Sequence, residues 1–538
     1  MWFLKSLSSS KHRIMGGQTV LNFKWGLSTT DPEQQQVLIV GQPAHLNNLT
    51  WNDVKCKLQS KVTEEIWKRG LKYATQSPGE SVELWPRGAF IASLPARCSR
   101  HAAPARAHAL AKLVRNHHRA SDEHIVLVCR KCDVYASSMA IARSFPLYTM
   151  RYKQPIQNSN PPPPHPTVTV EILLVKEEHV NGTSEEEVLD PYFLDGVLSP
   201  ADLTTISNAA NGVRMAAMIT DTPCNLYNVD VFIAEAQKVA KELNIAEPTI
   251  IRGEELRERG LGGIYGVGRA ASCPPALVVL SWKHEAATET VAWVGKGIVY
   301  DTGGLSLKSR LSMVGMKGDC GGAAAVLGAF SAFVKSRPCV NLHAILCLAE
   351  NAVGPLATRP DDIHVMYSGH TVEINNTDAE GRLVLSDGVV YARKDLKADI
   401  IVDIATLTGA QGIATGKYHA AILSNNSDLE QRAVVAGLKS ADLTHPLPFA
   451  PELHFSEFAS TVADMKNSVA DRNNAQSSCA GLFILSHLGF EYPGKWLHID
   501  MAAPAHCGER ATGYGVALLS VLFGNRTGSP LLKALSPY

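Results

Sequence analysis

The sequence predicts an α/β protein with a smaller N-terminal α/β domain and a larger C-terminal domain, the latter a mostly parallel sheet covered by helices on both faces. Two observations carry this. Short, continuously apolar runs recur between Ala276 and Ile499, and helical segments such as Gly322–Lys335 and Arg382–Lys394 lie between several of them. Strands without polar alternation are buried on both faces, as helix-covered parallel sheets require. At 538 residues, 45% apolar and 19% charged, the chain is also long enough for two cores of ordinary globular composition.

Residues 1–30 read as a leader or unstructured extension, since Lys5, Lys11, Arg13 and Lys24 precede the first acid, Asp31, among several serines. A mitochondrial transit peptide is the second reading of such a basic, acid-poor stretch. Residues 31–198 form the N-terminal domain and its connecting segment. Val37–Val40, Ile125–Val128 and Thr167–Leu174 read as strands there, and Ala136–Ser144 as a helix. The Pro161–Pro164 run, extended by Pro166, reads as polyproline-like surface coil. Cys129-Arg130-Lys131-Cys132 lacks a second ligand pair and reads as structural rather than zinc-binding.

The acidic, polar stretch Lys176–Leu198 connects to the C-terminal domain, residues 199–538. Its first helix, Asp202–Ile219, is stopped at Thr222-Pro223. Strands follow at Ala276–Leu280, Val291–Val294, Leu342–Leu348, Ile400–Ile404 and Trp496–Ile499. Ligands of such sheets sit beyond the carboxyl ends of strands, and Lys296 and Asp301 are expected just past one of them. Gly266–Ala271 matches a dinucleotide fingerprint, but Pro274 and Pro275 would break the helix it must open.

Lys+Arg equals Asp+Glu at 51 each, so no basic excess points to nucleic acid, and no apolar run is long enough for a membrane span. Eleven scattered cysteines, several in apolar runs, fit reduced thiols and a cytoplasmic setting.

The densest chemistry lies in Asn376-Thr377-Asp378-Ala379-Glu380-Gly381-Arg382-Leu383. Asp378, Glu380 and Arg382 alternate, so an extended backbone would present all three on one face. Two more dense segments lie upstream, Gly295–Lys308 and Lys317–Gly322. His343, His364, His370 and His487 are isolated and read as core or surface histidines, so any metal here is bound without histidine.

In order and spacing, these three motifs resemble the leucyl aminopeptidase family of two-metal exopeptidases, over roughly Asn211–Leu522, and within it the animal "probable aminopeptidase-like" branch. The resemblance implies a metalloexopeptidase that removes the first residue from peptides with a free α-amine. Its implied metal ligands are Lys296, Asp301, Asp319, Asp378 and Glu380. Asp301 and Glu380 would bridge two ions, Asp378 would complete one shell, and Asp319 with the Lys296 amine would complete the other.

Such oxygen-rich ligands accept Zn²⁺, Mn²⁺ or Mg²⁺ with little selectivity, and two divalent ions would balance four carboxylates. Gly295 and Gly297 are expected to let the backbone fold closely over the ions. Water bridging the ions would be the nucleophile. Lys308 would stabilise the oxyanion, and Arg382 would hold bicarbonate that relays the proton to the leaving amine. Met316, Thr406 and Gly409 would line the pocket for the first side chain. The family also implies a homohexamer built as two trimers.

Blander readings exist: Lys308 as part of a solvated basic turn, Arg382 as an ion-pair partner of Asp378 or Glu380, and Met316 as core. The alternative function is a non-enzymatic scaffold or DNA-binding accessory protein. Loss of a carboxylate or of Lys308 would have favoured it, and all are present. Thr302, Ser309 and Cys320 depart from the family's usual serine, proline and methionine, without altering a ligand.

Overall fold

The computed structural model describes residues 19–151, 165–175 and 196–537. The proline run 161–164 and most of the acidic connection lie outside the described residues. The chain divides into two compact units: residues 1–210 with 438–441 and 529–535, and residues 211–437 with 442–528 and 536–538. The division falls inside the helix Pro200–Asp221.

The first unit holds a six-stranded sheet of β1 (Val20–Trp25), β2 (Gln36–Gly41), β3 (Ser81–Trp85), β4 (Ala89–Ser93), β5 (Glu123–Cys129) and β6 (Thr167–Leu174), in the order β1-β6-β5-β2-β4-β3. All neighbours are parallel except β3 and β4. The three strands expected here are β6, β5 and β2, and β2 is buried along its whole length. Val54, Leu58 and Trp67, from two helices, pack with Ile39 and Ile91 of the sheet. The expected helix is found at Val134–Ala142.

Part of the stretch expected as an extension is structured. Val20–Trp25 pairs in parallel with β6, from Val20 opposite Thr167 to Trp25 opposite Ile172. Its valine, phenylalanine and tryptophan are good strand formers, and the edge of β6 supplies a ladder that a reading of charge could not anticipate. Below it, Lys57 Nζ lies 2.7 Å from Glu171 Oε2, both side chains 0% exposed, and Ser28 N donates to Glu171 Oε1 at 3.0 Å.

The second unit contains β7 (Thr249–Arg252), β8 (Ala276–Trp282), β9 (Thr290–Asp301), β10 (Asn341–Asn351), β11 (Ile363–Val365), β12 (Thr371–Glu373), β13 (Ile400–Ala405), β14 (Ala420–Ser424), β15 (Thr444–Pro446), β16 (Met465–Lys466) and β17 (Lys495–Asp500). Its eight-stranded sheet runs β15-β14-β17-β13-β9-β10-β8-β7. The central strands β17, β13, β9 and β10 are mutually parallel, and antiparallel pairs occur only toward the edges. A small second sheet, β11-β12-β16, lies apart from it in strand pairing.

Alternate residues of β9 explain its unbroken apolar run. On one face Trp293 meets Phe333 and Phe523 at ring separations of 5.3 and 5.7 Å. On the other, Val294 lies against Gly388 of the helix Gly381–Lys394, where a Cβ would come within 2.6 Å of it. Helices therefore cover both faces. Among the described residues no helix is long and apolar enough to cross a membrane.

Candidate active site

β9 does not stop before Lys296; it continues through Gly295-Lys296-Gly297 to Asp301. The flanking glycines suggest a strand end only because glycine normally punctuates. Here a Cβ on Gly295 would lie 2.5 Å from Ala323 Cα, so this glycine admits the helix Gly321–Val334 against the strand. Gly381, which opens the helix Gly381–Lys394, likewise leaves room for the Lys296 stem, since a Cβ there would sit 2.6 Å from Lys296 Cε.

Lys296 therefore projects from mid-strand with its amine buried among acids. Nζ donates to Asp319 Oδ1 at 2.8 Å and to the Thr406 carbonyl at 3.1 Å, and lies 2.9 Å from Glu380 Oε1. Asp301, at the end of the same strand, is buried; its Oδ1 accepts from Gly303 N at 2.9 Å and from Asn351 Nδ2 at 2.8 Å. Lys308 Nζ reaches back to 2.9 Å from Asp301 Oδ2 and 2.5 Å from Asp378 Oδ1. Lys308 is thus drawn into the acid cluster, not left in a solvated turn. Asp301, Asp378 and Glu380 each offer an oxygen within 4.8 Å of the others.

The extended face expected for Asp378, Glu380 and Arg382 does not form. Glu380 has helical dihedrals (φ −78°, ψ −34°) and Arg382 lies in the first turn of the following helix. The three side chains diverge: Asp378 meets Lys308, Glu380 meets Lys296, and Arg382 Nη1 donates to the Asn467 carbonyl at 2.9 Å. Among the described residues Arg382 has no ion pair. Its guanidinium lies 5.7 and 5.8 Å from the ring centres of Phe458 and Phe483, and its buried Nε has no hydrogen-bond partner.

The three expected pocket residues are placed differently from one another. Met316 is half-buried at the start of the short 3₁₀ helix that carries Asp319. Thr406 serves the acid cluster, its hydroxyl donating to Asp319 Oδ1 at 2.7 Å. Gly409 is exposed at the start of a short helix, with open space where a side chain would stand. The departures have local roles. Thr302 Oγ1 donates to the Asn351 carbonyl at 2.7 Å, Ser309 caps the turn Arg310–Met313, and Cys320 is buried. His343 and His487 bond to the hydroxyls of Ser281 and Ser368, each at 2.7 Å.

Sequence reasoning passed over two asparagines. Asn351 Nδ2 bonds both to Asp301 and to the Thr377 carbonyl, joining the strand end to the acidic loop. Asn467 is buried against the same loop. No local motif marks either residue.

Were all of them ionised, four carboxylates would face two ammonium groups with two negative charges in excess. Burial raises Glu380 to about 8, with Asp301 and Asp319 adding to the rise against Lys296. Burial likewise raises Asp319 to about 6, against the pull of Lys296, and raises Asp378 against Lys308. Burial lowers the affinity of both lysines for protons, but the surrounding carboxylates win and hold each ammonium above its ordinary value. Burial moves Arg382 down, to about 10, against the opposing charge of Glu380.

Glu380 Oε2 is buried without a hydrogen bond, while Asp319 Oδ2 and Asp378 Oδ1 face an ammonium in ion-pair contact but lack hydrogen-bond geometry. An acid-rich, under-bonded oxygen cluster with one amine fits hard divalent cations.

Comparison with known proteins gives the family. The M17 aminopeptidase N-terminal domain 2 matches residues 35–154, and the catalytic domain of the cytosol aminopeptidase family matches residues 214–520. Probable aminopeptidase NPEPL1 of Homo sapiens is 56% identical over 522 residues, 96% of this chain and 95% of that protein. Leucine aminopeptidase 1 of Caenorhabditis elegans is 40% identical over 514 residues, 94% of this chain and 98% of that protein.

Among solved structures, a C. elegans leucine aminopeptidase matches with a TM-score of 0.86 at 39% identity, covering 96% of this chain and 100% of that one. A leucyl aminopeptidase from Trypanosoma brucei in complex with actinonin matches with a TM-score of 0.80 at 32% identity, covering 97% and 98%. On the catalytic-domain match and near full-length identity, the chain belongs to the cytosol aminopeptidase (M17) family.

Proposed function

We propose that this M17 hydrolase is a metal-dependent aminopeptidase that releases the first residue of peptides bearing a free α-amine. The observation that carries the reading is the convergence of Lys296, Asp301, Asp319, Asp378 and Glu380, with buried carboxylate oxygens left short of hydrogen bonds. These five residues would hold two divalent ions, Zn²⁺ or Mn²⁺, with Mg²⁺ as the harder alternative, and Lys296 would give up its proton to the incoming cations' charge in order to ligate. When bound, such ions supply Lewis-acid polarisation of the scissile carbonyl and a water acidic enough to attack near neutral pH.

Lys308, carried on the turn after β9, stabilises the oxyanion of the tetrahedral intermediate; losing one such donor costs about 3–4 kcal/mol in the transition state. Arg382 would hold a small anion, bicarbonate, and its unpartnered Nε offers a donor for it. With such an anion bound, Arg382 would keep a proton carrier within reach of the leaving amine. Met316 and Gly409 flank the first side chain, with Thr406 shared between this pocket and Asp319. Met316 suits an apolar residue, because a thioether adapts to shape.

The proposed domain division is 31–198, to whose sheet Val20–Trp25 adds a strand, and 199–538. All eleven cysteines are free thiols, which supports a cytoplasmic setting over an oxidising one. A homohexamer is the assembly that accompanies this reading. The deciding experiment is hydrolysis of aminoacyl-amides by the purified protein with Zn²⁺, Mn²⁺ or a chelator. Metal-dependent release of the first residue is expected; activity indifferent to chelation would reject the reading.

A further inference from the structure

We infer that Asn467 is a positioning residue that sets the geometry of the acidic loop and of Arg382 at once. The inference rests on the metallo-aminopeptidase reading above.

Asn467 follows β16 directly, and its main-chain N–H donates to the Glu373 carbonyl at 3.1 Å, extending the β12–β16 ladder by one step. Beyond that point the partner chain leaves the ladder to form the loop 374–380, and the Asn467 side chain takes over. Its Oδ1 accepts from Asn375 N at 3.0 Å and Asn376 N at 3.2 Å. Its Nδ2 donates to the Asn376 carbonyl at 2.7 Å and the Ala379 carbonyl at 3.2 Å. Two acceptor sites and two donors are the whole capacity of a carboxamide, and all are spent on one loop.

The side chain thus grips the backbone on either side of Asp378 and just before Glu380. The Asn467 carbonyl meanwhile accepts from Arg382 Nη1 at 2.9 Å. One residue, 0% exposed, therefore ties together two proposed metal ligands and the proposed anion-binding arginine. Only glutamine shares the carboxamide, and it is one methylene longer; aspartate has no donor, and serine has one hydroxyl. Groups that orient metal ligands in this way typically change metal affinity or activity about 10–100-fold when removed.

The fold has independent support at this point. The β12–β16 pairing is main-chain, and Asn375 and Ser468 exchange two further bonds at 2.9 and 3.1 Å. Asn467→Ala should therefore fold, and Asn467→Ser, which keeps one donor, provides a milder second variant. Each is stripped of metal and titrated with Mn²⁺ by calorimetry, then melted and assayed for kcat and KM on leucine amide. Phe232→Leu, a buried substitution in the helix Val229–Leu243, calibrates plain destabilisation.

Mn²⁺ affinity should fall roughly 10–100-fold in Asn467→Ala and less in Asn467→Ser, with kcat falling more than KM rises. Variants that melt earlier, as Phe232→Leu does, yet keep wild-type Mn²⁺ affinity and kcat would overturn the inference while leaving the proposed function intact. A wild-type protein that neither binds Mn²⁺ nor cleaves the amide would overturn both.

Discussion

The Lys296 amine stands 2.9 Å from Glu380 Oε1, while the second oxygen of that carboxylate, Oε2, is buried without a hydrogen bond. A half-satisfied carboxylate beside a buried amine is costly in a protein interior unless a cation shares it. The consequences can be measured.

Metal removal should both inactivate and destabilise the protein. Stripping divalent ions leaves Asp301, Asp319, Asp378 and Glu380 with only Lys296 and Lys308 as compensation. Verified chelation should lower the melting temperature and abolish amide hydrolysis, and Mn²⁺ or Zn²⁺ should restore both. An unchanged melting temperature would mean that the four acids do not share a cation site.

The two lysines should separate. Lys296→Met removes a proposed ligand and should lose metal content along with activity. Lys308→Met removes a transition-state group and should keep its metal while kcat falls roughly 10²–10³-fold. Elemental analysis beside kinetics checks this. A metal-depleted Lys308→Met with a fully loaded Lys296→Met would reverse the assignment.

Activity should lean alkaline. The substrate's α-amine, with a pKa of about 8, must be neutral to serve as a ligand, so rates should climb from roughly pH 6 to 8. The N-acetylated substrate should be inert. Rapid cleavage of the acetylated peptide contradicts an exopeptidase.

Acid should weaken the first unit through Glu171. Burial raises its pKa, but hydrogen bonds from His124, Lys57 and Ser28 and the charge of Lys57 outweigh it, carrying the carboxyl from 4.5 to about 2. A depressed folded-state value means stability that is complete above pH 4.5 and lost as pH falls toward 2, on the order of 3 kcal/mol. Glu171→Gln should be less stable than the wild type at neutral pH and should flatten the acid limb of a denaturation series. A wild-type curve equally flat over that window would count against the pair.

Much of this was legible in the residues themselves. Ala276–Leu280, Leu342–Leu348 and Ile400–Ile404 announce β8, β10 and β13 because burial on both faces leaves no polar alternation to confuse. Lys296 was misplaced at a strand end because glycines at 295 and 297 imitate a turn, whereas Gly295 makes room for a helix. The alternation of Asp378, Glu380 and Arg382 misled for a related reason: period two has meaning only in a strand, and Glu380 already turns helical. Asn467 had no signal at all, lying 87 residues beyond Glu380 without a motif of its own. Long-range hydrogen bonding by a lone asparagine leaves no trace in periodicity or composition.

The most direct test is the ratio of bound divalent metal to chain, measured by elemental analysis on the wild type and on Glu380→Gln, with leucine-amide hydrolysis followed on the same samples. The proposed site predicts two ions per chain in the wild type, with activity rising in step with metal content. Glu380→Gln should lose metal and activity together. Full activity in a wild type that retains only traces of metal, or undiminished metal and activity in Glu380→Gln, would contradict it.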